Sequence, residues 1–461
     1  MRFVGRRREL QALERLRQRH RAQLVLMYGP RRVGKSYLLQ RWIADRPAVF
    51  YQATQQAEAV ELAAFSDAVR SLVKLPSGVN FPTWESALGA LSDTAQSEPL
   101  IVVLDEFPNL CESTPGLASS LQRWWDLKGR TSRLMLILCG SAQTFMEELD
   151  THAAALYGRF TAKMPIRPLS YREAAEFVPG LPHGEQAMVY GMLGGMPYAL
   201  DHWDVGQTLR ENIVGLFGDS LSPLIDAPDR MLTTTLADPK AAYRICRAIA
   251  VGKTRWAEIR DYAKVHDRAI TQLVAMELVE RRVPITEDAD RSRRSTYRIP
   301  DPNLRFWFRY VLPYRGQIER GLGLGVVENR ILPFLDDHMG IVYEDIARQF
   351  AGDLVAHGAL AADGVGFWHS SDGRHEIDIV GVVNHEPTFV GTVKWQKTPL
   401  DRRVIANLEA HAQALQVPDD IPRLLIGRSG LAPEAQGISH VYGFSIDDIY
   451  APIETAAARI A

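Results

Sequence analysis

Leu24-Val25-Leu26-Met27-Tyr28-Gly29-Pro30-Arg31-Arg32-Val33-Gly34-Lys35-Ser36-Tyr37-Leu38-Leu39-Gln40 is the stretch whose reading decides the fold. An apolar run over residues 24–28 has the character of a buried strand, and an amphipathic segment follows the loop 29–36. Strand, loop and helix in that order are the context in which Gly-x-x-x-x-Gly-Lys-Ser binds phosphate. Gly29 and Gly34 let the backbone curl into a nest of N–H groups, with a helix N-terminus behind it. Pro30, Arg31, Arg32 and Val33 complete the loop, and Tyr37 follows it on the helix. Lys35 is expected to reach the β- and γ-phosphates, and the Ser36 hydroxyl to take one position on Mg²⁺.

Working outward, residues 48–51 read as a second strand, and residues 57–73 and 84–91 as helices. Residues 100–104 are apolar and end in Asp105-Glu106. A strand buried on both faces of a parallel sheet has this character, and its C-terminal end is where α/β sheets hold ligands. Asp105 suits a Mg²⁺ shell through water, and Glu106 suits polarising an attacking water; an acidic pair at a strand end is also an ordinary helix cap. A fourth strand over residues 134–139 ends in Gly140-Ser141, where Ser141 either senses the γ-phosphate and its water or caps the next helix. Arg159, after Gly158 in a loop, is either a charge-stabilising arginine for phosphoryl transfer or a solvated surface residue. Before the loop, residues 6–20 read as a surface helix, and Phe3-Val4-Gly5-Arg6 as its start or as a wall for a nucleotide base.

The chain of 461 residues is long enough for about three domains. Hydrophobic residues at 46% and charged residues at 23% are those of an ordinary globular protein, and a net charge of -2 argues against a polybasic wrapper of nucleic acid. Three cysteines without paired spacing exclude a disulfide framework or zinc site as the organising feature and suit a reducing cytoplasm. No leader-like or membrane-length apolar run occurs, so a cytoplasmic protein with no membrane partner is expected.

The ordered motifs FVGRRREL, GPRRVGKS, VVLDEFPNL, ILCGSAQ, LYGRFTAKMPIRPLSYREAAEF and GGMPYAL resemble those of archaeal-type P-loop ATPases, relatives of the AAA+ and STAND NTPases. The resemblance covers residues 3–200. It implies ATP as ligand and an AAA+/ASCE-type parallel sheet with an extra strand between the Walker A and Walker B strands, followed by a helical lid. It also implies that Phe3, Gly5 and Arg6 lie near the adenine and that Gly195-Met196-Pro197 approaches the nucleotide from the lid.

Residues 171–236 are helical in character. Residues 241–282 read as three short helices and residues 280–299 as a hairpin with a charged tip, the winged-helix arrangement that the resemblance also implies. Residues 244–298 carry 13 Lys/Arg against 8 Asp/Glu, so contact with double-stranded DNA is one reading. The third helix offers only Arg268, Thr271 and Gln272 to base edges, and a spacer or protein-contact module is the other. Residues 297–310 interleave arginines with aromatics, either as a base-stacking platform or, in line with the resemblance, as a buried junction.

Beyond residue 329 come a helix carrying Tyr343 and Glu344, strands over 365–370, 376–383 and 388–395, a helix over 401–415 and a strand over 423–427. This α/β pattern resembles the restriction-endonuclease-like PD-(D/E)xK fold. By that resemblance Glu344, Asp378 and Lys394 match site positions, but Thr392 stands where a carboxylate belongs. Threonine brings no negative charge to a Mg²⁺ site; Glu376, two residues before Asp378 on the same strand face, is the one candidate to compensate. A degenerate, non-cutting domain is expected.

The expected fold is thus α/β: a P-loop NTPase core over residues 1–168, a helical lid over 169–236, a winged helix and aromatic junction over 237–315, and a nuclease-like domain over 325–461. The expected function is an ATP-hydrolysing switch in which Glu106, Lys35, Ser141 and Arg159 are catalytic and hydrolysis repositions the later domains, with a homo-oligomer or protein partner. The alternatives are an ATP-regulated DNA-binding or DNA-cleaving effector, and a slow-turnover signalling scaffold.

Overall fold

The structure, a computed structural model, describes residues 2–236 and 238–460. Residues up to 169 together with Met196–Tyr198 form one compact unit, and the remaining described residues form a second.

In the first unit, β1 (Gln23–Tyr28), β2 (Ala48–Gln52), β3 (Leu100–Asp105), β4 (Leu134–Gly140) and β5 (Ala162–Pro165) make one parallel sheet. Its order is β2-β3-β4-β1-β5, so β4 is the extra strand between the P-loop strand and the acidic strand. Every residue of β3 and β4 is buried, because helices cover both faces. The side chains alternate between two cores. Leu24, Leu26, Val102, Leu104, Leu136 and Leu138 face one side with Phe65, Leu88 and Trp124. Val25, Met27, Val103 and Ile137 face the other with Leu13, Leu38 and Trp42.

Several elements of this unit differ from the sequence expectation. The helix Trp84–Ser97 runs past residue 91, because Ala87, Leu88, Leu91 and Ala95 keep a buried stripe going. β5 was not expected: its four residues, Ala-Lys-Met-Pro, bury only Met164, and a single buried side chain leaves no apolar run to read.

In the second unit, the helices Pro239–Ala250, Trp256–Ala263 and Asp267–Ala275 precede a two-stranded antiparallel hairpin of β6 (Glu280–Arg282) and β7 (Thr296–Arg298). The aromatic stretch that follows is core: Phe306, Trp307 and Phe308 are fully buried, and Trp307 Nε1 donates to the carbonyl of Ile225 at 2.8 Å. Rings withdrawn from solvent in this way cannot stack on bases.

The second sheet has the order β12-β11-β10-β9-β8, with β8 (Gly364–His369), β9 (Glu376–Val383), β10 (Glu386–Lys394), β11 (Arg423–Gly427) and β12 (Val441–Phe444). β8, β9 and β10 are antiparallel, while β10, β11 and β12 are parallel, with the helix Arg402–Ala414 as the crossover from β10 to β11. The turn before β10 is tighter than expected. Asn384 and His385 both take left-handed φ values, of 51° and 68°, so Glu386 already pairs with Val383. The 22-residue helix Leu335–Ala356 buries Tyr343, Ile346 and Phe350.

The hairpin tip is docked on this sheet. The Ile285 N–H donates to the Phe367 carbonyl of β8 at 2.9 Å, Arg294 Nη1 donates to the His369 carbonyl at 2.7 Å, and the Arg282 guanidinium lies 3.9 Å from the Phe367 ring centroid. Behind it, Asp345 receives Arg298, Arg305 and Arg348. Those three guanidiniums hold its carboxyl far below the usual range despite its partial burial.

Candidate functional site

In a parallel sheet, strand order alone brings the C-terminal ends of β1, β3 and β4 together, and the P-loop, the acidic pair and Ser141 follow those ends. Gly29, at φ 155°, passes so close to Ile166 that a β-carbon would lie 2.1 Å from its carbonyl oxygen. Gly34, at φ 94°, opens the helix Lys35–Ile43, and a β-carbon there would meet Pro197 at 3.8 Å. Pro197 thus lies over the loop, as expected of the lid motif, and Met196–Tyr198 belong to the same compact unit as the loop. Arg32, with φ 67°, places its guanidinium 4.1 Å from the Tyr198 ring centroid. Val33 is buried and Pro30 and Tyr37 are half-buried.

Lys35 is buried, and its Nζ donates to the carbonyls of Gly29 at 2.8 Å and Pro30 at 2.9 Å. Burial lowers its pKa, against the nearby Asp105 and Glu106. Ser36 Oγ donates to Asp105 Oδ2 at 2.7 Å. A hydroxyl and a carboxylate meeting beside the loop are an oxygen donor set of the kind a hard dication takes, so the residues present fit Mg²⁺.

Glu106 leaves β3 in a left-handed conformation, φ 51°, which turns its side chain toward β4. Ser141 Oγ donates to Glu106 Oε2 at 3.2 Å, and Arg31 Nε lies 3.5 Å from the same hydroxyl. Ser141 caps no helix: the next one, Gln143–Glu148, begins after Ala142 without a side-chain cap. Gly140 is required behind it, since a β-carbon there would lie 2.7 Å from Pro108.

Two expected residues are engaged elsewhere. Arg6 is 4% exposed, and its guanidinium donates to the carbonyls of Val33 at 2.9 Å and Arg167 at 2.7 Å and pairs with Glu9. It braces the P-loop from behind; Gly5, at φ 65°, and Arg6, at φ 62°, make the turn that delivers it. Phe3 packs on Tyr37, with ring centroids 5.7 Å apart. Arg159 forms a two-pronged pair with Asp126, Nε to Oδ1 at 3.0 Å and Nη2 to Oδ2 at 2.7 Å. The structure therefore does not bring its guanidinium to Glu106 or Lys35. Sequence reasoning missed Asp126, Tyr198 and the carbonyls of Val33 and Arg167, because no motif spacing marks a partner that only the fold brings near.

The matched positions of the second unit are also close together. Asp378 Oδ2 accepts from Thr392 Oγ1 at 2.9 Å and from the Val393 N–H at 2.7 Å, with Lys394 Nζ at 3.8 Å. Burial and the neighbouring Asp378 push the Glu344 carboxyl up to about 7, with Arg348 3.4 Å away. Glu376 is exposed. Among the described residues, no group of three or more His, Cys, Asp or Glu is placed to hold a metal ion.

Residues 3–202 match a family described as an ATPase domain predominantly from Archaea, and residues 307–407 a family of archaeal and bacterial proteins of unknown function. An uncharacterised protein of Methanocaldococcus jannaschii is 28% identical over 408 residues, covering 86% of this chain and 88% of its own. An uncharacterised ATP-binding protein of the same organism is 41% identical over 44 residues, covering 10% of this chain and 75% of its own. Among solved structures, the Walker-type ATPase paby2304 of Pyrococcus abyssi superposes with a TM-score of 0.50 at 22% identity, over 67% of this chain and 96% of that one. Among the described residues no helix is long and apolar enough to cross a membrane. With the P-loop, the acidic strand and the extra strand between them in place, residues 3–202 of this chain form a P-loop ATPase domain of the predominantly archaeal family.

Proposed function

We propose that this chain is an ATP-hydrolysing switch, with the chemistry at the C-terminal edge of its five-stranded sheet. The observation that carries the reading is the double pairing there, Ser36 to Asp105 at 2.7 Å and Ser141 to Glu106 at 3.2 Å. ATP phosphates sit in the nest 29–36, and Lys35 exchanges its two loop carbonyls for phosphate oxygens. Ser36 and Asp105 hold Mg²⁺, which neutralises phosphate charge when bound. Glu106, oriented by Ser141, aligns and polarises a water for in-line attack on the γ-phosphorus. Arg31, on the Ser141 hydroxyl, is placed to sense the same event. Arg159 joins the reaction only if it leaves Asp126, within its own subunit or toward a neighbour's.

Under this reading the lid, the three-helix and hairpin segment as a winged helix, and the C-terminal domain respond to nucleotide state. In Glu106→Gln, phosphate release is expected to fall about a hundredfold or more while ATP binding persists. Unchanged release would sink the assignment.

A second reading, DNA contact, is favoured by exposed Arg268, Thr271 and Gln272 on the helix Asp267–Ala275. It requires binding that weakens steeply with salt and is lost in Arg268→Ala/Gln272→Ala. The self-satisfied Asp378 supports a C-terminal domain that does not cleave DNA.

A further inference from the structure

The edge of the five-stranded sheet opposite the P-loop, where the strands begin, has a cleft of its own. It is open and shallow, with a cavity volume of about 50 Å³, and is lined by Gln23 at the start of β1, by residues 99–101 at the start of β3 and by Arg133 just before β4. Strand order in a parallel sheet places all these starts together, just as it gathers the opposite ends. Arg17, Arg21 and Arg46 complete the lining from the helix Arg7–Arg17, the segment after it and the entry to β2.

The charge there is lopsided. The lining contains four arginines and no aspartate or glutamate. Glu14 supplies one carboxylate behind it, shared between Arg17 at 3.0 Å and Arg46 at 3.4 Å. Arg133 Nη2 donates to the Gln96 carbonyl at 2.6 Å, which positions the guanidinium but leaves its charge uncompensated. The Glu14 carboxyl is held down to about 2, chiefly by the hydrogen bond from Arg17. A concave surface carrying such an excess concentrates anions, and guanidinium forks fit phosphate oxygens in particular.

A second feature points to more than bare phosphate. Gln23 is 1% exposed, its Nε2 donates to the Arg21 carbonyl at 3.3 Å, and its Oε1 finds no donor within the protein. A buried acceptor at the cleft calls for a hydroxyl or amine on the ligand. Pro47 and Pro99 give apolar walls against which a sugar or base can lie.

We propose that this cleft is a second ligand site, separate from the P-loop, that takes one nucleotide unit: phosphate on the arginines and a sugar hydroxyl or base amine on Gln23. The unit is either a free nucleotide or a residue of a strand. The site does not depend on the hydrolysis reading, because it uses none of the same residues.

The test uses the full chain carrying Lys35→Ala, so that the P-loop contributes little. Two probes are titrated, ADP by calorimetry and a fluorescein-labelled single-stranded oligonucleotide by anisotropy. Arg21→Ala/Arg133→Ala is expected to weaken whichever probe binds by about tenfold or more, and to lower the salt slope for the oligonucleotide by about one per lost phosphate contact. Weakening of ADP binding alone identifies a free nucleotide, and weakening of oligonucleotide binding identifies a strand. If the double variant melts earlier than the parent, exposed Arg21→Ala alone decides, with a loss of several-fold expected. Equal affinity with and without the arginines, or no binding of either probe, overturns the proposal.

Discussion

Thr392 lies against Asp378 in the C-terminal sheet. Its hydroxyl and the neighbouring Val393 N–H both donate to Asp378 Oδ2. Thr392→Glu would set a third carboxylate beside Asp378 and Glu344, and like charges close together destabilise one another. The variant is expected to lose about 1–3 kcal/mol in EDTA and to regain part of it with Mg²⁺. Thermal melts of nucleotide-free protein check this; a variant that ignores Mg²⁺ shows that the site geometry is lost as well as its charge. His338 offers a pH handle in the same unit. It is fully buried, Nε2 donates to the Gly191 carbonyl at 2.8 Å, and burial drives its pKa from 6.5 down to about 3. The unfolded chain therefore takes up the proton first, so this residue's contribution to stability is intact above about 6.5 and is lost as pH falls toward about 3. His338→Gln keeps a donor and removes the titration. Its unfolding free energy is expected to fall less between those pH values than that of the parent, as denaturant melts at each pH would show.

At the scale of elements, the hairpin tip illustrates how a segment that reads as a free wing can be committed to a neighbour. Ile285 bonds to the edge strand β8 and packs so tightly on Gly366 that a β-carbon there would lie 2.9 Å from the Ile285 β-carbon. The docking also covers backbone groups that an edge strand would otherwise expose. Gly366→Val should therefore displace the tip at a cost of about 1–3 kcal/mol and speed amide exchange in β8 and residues 284–294. Unchanged exchange would mean that the tip is not held by this contact. The strands β1, β3, β4, β9 and β11 were readable because each is an apolar or alternating run between turns. β5 and β12 were not, since Ala-Lys-Met-Pro and Val-Tyr-Gly-Phe pair at sheet edges and bury one residue each.

At the scale of the molecule, the chain crosses between its two compact units more than once, because Met196–Tyr198 belong with the P-loop while their neighbours belong to the second unit. Saturating ATP at about a hundred times Kd should stabilise the unit that binds it by about 2.7 kcal/mol. Calorimetry of the full chain with Glu106→Gln, expected to hold ATP without turnover, tests the switch: coupling raises the unfolding transitions of both units, and a shift in one alone would speak against it. The sequence by itself determined the loop, the acidic strand and the serine opposite it, because nests, buried strands and strand-end carboxylates are local patterns that survive without neighbours. The resemblance carried by those motifs supplied the extra strand between the P-loop strand and the acidic strand. Tertiary structure alone decided that Arg6 braces the loop, that Arg159 is held by Asp126, that Thr392 closes over Asp378, and that four arginines meet at the far edge of the sheet. In each case the deciding partner is many residues away, and the chain must fold before the two can touch.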